Sequence, residues 1–200
     1  TPGKETKPKD FSDEFPFLKN KPPSISLEGY LFPDTYQFLP NVTEDRVFDV
    51  MRSTFNERVR EIVPEIEAFG MSLKDVVIMA SIIEKESANV FEERQTIAGI
   101  LWNRINIGMP LQVDAVFPYI NGKNTFQLST EDLDIDSPYN TYKYAGLPIG
   151  PIANPSLDSI KATVTPIETD YLFYLHDMSG NVHYAVTFER HKQNKFRYLR

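Results

Sequence analysis

The residue best placed by its pattern to hold and release a proton is Glu84. On a helical wheel of about 100° per residue begun at Ser72, the side chains of Leu73, Val76, Val77, Ala80 and Ile83 form one apolar stripe, and Glu84 falls in its middle. A carboxylate on such a stripe loses hydration, which disfavours its charged form and raises its pKa. A carboxyl still protonated near neutral pH can protonate a glycosidic oxygen. The same wheel also fits a structural carboxylate, paired with a buried Arg or Lys or emerging at the helix end. Glu86 and Asp75 fall on another face, and Glu86 reads as a supporting or surface residue.

Other chemistries find little footing. There is no cysteine, which removes disulfides, thiolate nucleophiles and zinc–thiolate sites. His176, His183 and His191 make no HExxH or comparable spacing, so no metal site is expected. No GxSxG elbow presents a serine nucleophile, and Gly146 to Pro151 reads as a rigid turn instead of a phosphate loop, so no cofactor is expected. Gln112, Asp114, Tyr119, Tyr139, Asn140, Thr141, Tyr142 and Asn154 form a set of amides, hydroxyls and aromatic rings. Sugars need such partners, with aromatic faces for C–H surfaces and hydrogen-bonding groups for hydroxyls and N-acetyl groups. The alternative is a turn-rich surface whose tyrosines plug the core.

The elements that must position these residues can be read in outline. Residues 1–26 are rich in Pro, Lys and Asp and read as a linker or the tail of an upstream module. Leu27 to Leu39 packs many aromatics around Pro33 and predicts a strand, a turn and a short extended piece. Helices are predicted over 44–63, over 72–87 behind the Ser72–Asp75 capping pair, and over 91–107 with Gly108 as its C-cap. Met109 to Pro155 keeps no regular period, and a long irregular stretch with this aromatic content reads as functional. A short helix over 156–164 and a β-hairpin formed by 170–176 and 181–188 complete an α+β fold. Its helical core surrounds the Glu84 helix, beside a small antiparallel sheet.

A net charge of −7 and scattered basic residues argue against nucleic acid as a partner. No stretch approaches the roughly 20 apolar residues of a membrane span.

The motifs resemble those of the YceG-like family of endolytic murein transglycosylases across most of residues 27–191. They are Leu27 to Tyr36 (LEGYLFPDTY), Ala80 to Glu86 (ASIIEKE), Asn103–Arg104, Gly108 to Gln112 (GMPLQ), Ser137 to Tyr142 (SPYNTY), Gly146 to Pro148, and Gly150 to Pro155 (GPIANP). The chain departs from the family pattern in Val113 and Ala115 around Asp114, in Ile149, in Ser156 and in Arg190. The resemblance implies a catalytic domain over 27–200, preceded by a small LysM-like module and a membrane anchor upstream. It implies that Glu84 acts first as general acid and then as base, cleaving the bond between N-acetylmuramic acid and N-acetylglucosamine to leave 1,6-anhydro ends. Gln112 and Asp114 are expected near the scissile bond, with Tyr139, Asn140, Thr141, Tyr142 and Asn154 along the glycan and Glu28 and Tyr30 lining or bracing the cleft. The expected partners are peptidoglycan strands and cell-wall synthesis proteins, at the extracytoplasmic face of the membrane. Two readings compete with this: a non-catalytic peptidoglycan-binding scaffold, and a muramidase-type hydrolase using Glu84 with Asp114 or Glu28 and a water.

Overall fold

The computed structural model describes residues 27–88 and 90–199. The predicted linker over 1–26 therefore lies outside the described residues. Helices run through α1 (Glu44–Arg60), α2 (Val63–Phe69), α3 (Leu73–Glu86), α4 (Phe91–Asn106), α5 (Phe117–Asn121), α6 (Thr130–Leu133), α7 (Leu157–Val164) and α8 (Phe188–Tyr198). Strands β1 (Phe173–His176) and β2 (Val182–Ala185) pair antiparallel, with Tyr174 opposite Tyr184. The fold is α+β, as the sequence predicts.

Side-chain caps start the helices. Thr43, Ser72, Ser156 and Thr187 each accept a backbone N–H from the first turn of α1, α3, α7 and α8. Helix α3 is the central rod, with every residue from Val76 to Ile83 buried. Val76, Val77 and Ala80 join one apolar cluster with Phe55, Val59, Ile66 and Ile160. Met79, Ile82 and Ile83 join a second, with Ile97, Leu101, Leu111 and Phe117. A helix sandwiched in this way cannot rotate without moving both cores, so its last turn points in a fixed direction. Helix α4 and the segment after α7 meet at Gly99, where an added Cβ would lie 2.3 Å from the Ile167 carbonyl oxygen. Trp102 donates its indole N–H to the Thr163 carbonyl at 3.0 Å, fastening α7 to α4.

Three expectations are corrected. No strand forms in Leu27 to Leu39. Two of its N–H groups, on Gly29 and Leu31, are taken by the Asn154 carboxamide at 2.6 and 3.2 Å, and Tyr30 packs edge-on against Phe55. The predicted helix over 44–63 stops at Arg60, and α2 begins with Pro64 in its first turn, where a missing N–H costs nothing. The hairpin ends at Ala185, and Thr187 then caps a helix that the alternating pattern concealed. Among the described residues no helix is long and apolar enough to cross a membrane.

Candidate active site

A cleft of about 940 Å³ opens between the end of α3, the irregular stretch after α4, strand β1 and α8. Glu86, the last residue of α3, stands in it with Asp114, Tyr142 and Tyr174. The Ala115 N–H donates to Glu86 Oε1 at 3.1 Å, and the Tyr174 hydroxyl donates to Oε2 at 2.7 Å. Burial pushes the Glu86 pKa upward, outweighing the hydrogen bonds from Tyr174 and Ala115; Asp114 raises it further, against His176. Its place at a helix C-terminus, the negative end of the helix dipole, favours the proton as well. Tyr174 is itself held protonated, first by burial and then by the neighbouring Glu86, and so remains a donor.

Asp114 opens a short 3₁₀ turn (Asp114–Val116) and accepts the Tyr142 hydroxyl at 2.5 Å. Two contacts to Thr141 place it there. The Gln112 N–H bonds the Thr141 carbonyl at 3.0 Å, and the Thr141 hydroxyl accepts the Val113 N–H at 3.1 Å. Gln112 takes a left-handed backbone, with φ of 48°, at the rim of the cleft. Such strain in a non-glycine residue is characteristic of functional loops.

Glu84 faces elsewhere. Its Oε2 accepts the Ser156 N–H at 3.0 Å and the hydroxyls of Ser156 and Ser159, each at 2.6 Å. Arg94 lies 3.7 Å from Oε1. Burial raises the Glu84 pKa, but the hydrogen bonds from Ser156 and Ser159, joined by Arg94, outweigh it and bring the pKa below the ordinary value. The expected rise is thus corrected. The wheel finds the apolar stripe but not the two serines at the start of α7, and the ion-paired alternative is the one realised. Glu84 is not among the residues lining the cleft.

The remaining predicted residues divide. Gln112, Asp114 and Tyr142 line the cleft. Tyr139 packs its ring at a tilt, 4.6 Å between centroids, against Tyr119, a cleft residue whose pKa is raised by burial, by Tyr139 and by Glu28. Tyr139 and Glu28 therefore brace a cleft residue. The other four are not among the residues lining the cleft. Tyr30 is a buried core residue, its pKa pushed up to about 12 by burial and Asp75. Asn140 is buried and spends its amide on the Leu133 and Ile135 carbonyls. Thr141 is buried against Val113, and Asn154 holds the turn at Gly29.

Tyr174, Arg104 and His191 also line the cleft, and the sequence reading passed over them as site residues. Position 174 on an alternating strand gives a signal only once it is known which face meets α3. Among the described residues no group of three or more His, Asp or Glu side chains is arranged to hold a metal ion.

The model of the YceG-like family matches residues 4–197, and the chain belongs to that family. It is 38% identical over 181 residues to a Bacillus subtilis (strain 168) protein named endolytic murein transglycosylase, covering 90% of this chain and 50% of that one. It is 35% identical over 183 residues to the Streptococcus pneumoniae (strain D39) protein of the same name, covering 88% and 33%. A crystal structure of a YceG-like protein from Listeria monocytogenes superposes with a TM-score of 0.82 at 34% identity, covering 92% of this chain and 62% of the other. The chain thus spans half, or a third, of the length of these curated relatives.

Proposed function

We propose that this chain is the catalytic part of an endolytic murein transglycosylase, and that Glu86 serves as its general acid and then its base. The observation that carries the reading is the Glu86 carboxyl. It is held between the Tyr174 hydroxyl and the Ala115 N–H inside the cleft, with its pKa raised by burial. The names of the relatives supply the reaction class.

In the proposed reaction the Glu86 proton passes to the oxygen bridging muramoyl C1 and the next sugar. The C1–O bond breaks and the N-acetylglucosamine end leaves as an alcohol. The muramoyl C6 hydroxyl then closes on C1, its proton returning to the Glu86 carboxylate, and a 1,6-anhydro end results. No water is consumed, so one carboxyl suffices where a hydrolase uses two. Asp114, anionic beside the site, offsets positive charge developing at C1. Glycan strands of peptidoglycan are the substrate. The proposed location is the extracytoplasmic face of the membrane, with anchoring upstream of this chain and contact with cell-wall synthesis proteins.

A second reading, a muramidase-type hydrolase, draws on Asp114 as a second carboxylate in the same cleft. Mass spectrometry of the ends released from purified peptidoglycan separates the two. Anhydromuramoyl ends that vanish in Glu86→Gln and persist in Glu84→Gln are expected. Reducing ends would establish the hydrolase. Loss of cleavage in a well-folded Glu84→Gln, with Glu86→Gln still active, would return the acid to Glu84.

A further inference from the structure

One corner of the cleft carries positive charge that Glu86 offsets electrostatically at a distance but that no carboxylate bridges directly among the described residues. Arg104 is only 6% exposed, yet its guanidinium has no carboxylate within 4.0 Å among the described residues. It donates Nε–H to the Leu172 carbonyl at 2.7 Å and an Nη–H to the Leu111 carbonyl at 2.5 Å, and stands 5.3 Å from the Phe173 ring centre. Carbonyls and a ring face solvate a cation without cancelling its charge. Buried guanidinium groups are ordinarily paired.

On the same Phe173 ring, His191 stacks at 5.3 Å. It is 9% exposed, and its Nδ1 is buried without a hydrogen-bond partner. Lys195, one turn further along α8, lines the cleft and forms no ion pair among the described residues, whereas Lys192 pairs with Glu189 at 2.6 Å. Lys195 and Arg104 both act electrostatically on His191, against its protonation, after burial has done the same. Three groups able to carry positive charge thus converge in a chain whose net charge is −7.

We propose that this corner is an anion subsite, formed by Arg104, His191 and Lys195 around Phe173, which holds a carboxylate of the peptide stem borne by the muramoyl sugar. The proposal rests on the transglycosylase reading for its substrate. The glycan backbone offers only hydroxyls and N-acetyl groups, and the carboxylates of a peptidoglycan strand lie on its stems. A neutral sugar cannot compensate a buried guanidinium; a carboxylate does so with charge-assisted hydrogen bonds. The subsite makes the enzyme a reader of stems as well as of sugars.

The test is binding by calorimetry to the full-length protein carrying Glu86→Gln, so that no strand is cut. Two strand preparations of equal length and identical stems are compared, one with free stem carboxylates and one with those carboxyls amidated. Affinity for the free-carboxylate form is expected to be about tenfold tighter than for the amidated one, and to weaken with salt. Lys195→Gln, on an exposed position, and His191→Asn should each cut that preference to about threefold or less, while Lys195→Arg keeps it. Equal affinity for the two strands overturns the subsite, as does a preference that survives Lys195→Gln and His191→Asn together. Wild-type protein assayed in parallel separates the two readings. A stem preference without cleavage keeps the subsite and sinks the transglycosylase, whereas cleavage without a preference does the reverse.

Discussion

Glu84 and Glu86 stand two residues apart on one helix and meet opposite fates. Glu84 turns towards α7, where two serine hydroxyls, a backbone N–H and Arg94 favour its anion. Glu86 turns towards β1, where burial and Asp114 favour its proton against two hydrogen bonds. Each residue advances the wheel by about 100°, so the two side chains point to nearly opposite faces. The difference teaches that an apolar stripe does not decide protonation. What decides it is the number of donors that the facing element brings. Helix α7 opens with Ser156 and Ser159 and stabilises a charge, while β1 offers one tyrosine and a cleft.

Substitutions can break this contrast or sharpen it. The largest effect is expected from Glu86→Gln, with kcat falling about 10²- to 10⁴-fold, the range for loss of a general acid–base group. Its thermal midpoint should hold or rise, because a carboxyl with a raised pKa gives up little on becoming an amide. Retained turnover would break the contrast. Next comes Glu84→Gln, expected to cost about 2 kcal/mol of stability in a urea titration through three weakened hydrogen bonds and a lost ion pair. Its activity at a temperature where it is folded should stay within severalfold of wild type.

Smaller effects sharpen the Glu86 side. Tyr174→Phe removes a donor to the carboxylate, so the ionisation assigned to Glu86 in the pH–rate profile should move to higher pH. Asp114→Asn removes a neighbouring negative charge and should move it to lower pH. Two shifts in the same direction would refute the arrangement. The smallest effect lies in stability against pH. Glu84, with its folded pKa depressed, contributes stability that is present above the unfolded value of about 4.3 and is lost as pH falls through the folded one. Glu86, with its folded pKa raised, contributes the opposite slope, stability growing as pH falls through its folded pKa. Acid denaturation curves of the two Gln variants should therefore diverge, Glu84→Gln losing less than wild type on acidification and Glu86→Gln more.

Much of this frame is legible in the residues. The stripe over Leu73 to Ile83 predicts α3 and its central position, and the alternation around Met178–Ser179–Gly180 predicts the hairpin. Asp114 and Tyr142, both expected at one cleft from their residue types, are brought together there at 2.5 Å. What escapes is anything set by a partner far along the chain. Ser156, 72 residues after Glu84, helps turn the shift of that carboxyl downward against its burial, and no periodicity reports it. Asn140 and Asn154 resemble sugar ligands by type, but their amides are spent on backbone groups that only the folded loops bring near. Helix α8 escapes because its start adjoins a strand and its cap, Thr187, reads as one more alternating residue.

The bond from Tyr174 to Glu86 spans 88 positions. It therefore also orders events in time. A chain synthesised only as far as residue 170 carries Glu86 as an ordinary carboxylate at an uncovered helix end. Burial raises the pKa of that group and the Tyr174 bond tempers the rise, so docking of the hairpin tunes the acid. The carboxyl on α3 thus receives its tyrosine only from a hairpin far along the chain, and a chain that stops before it lacks that partner.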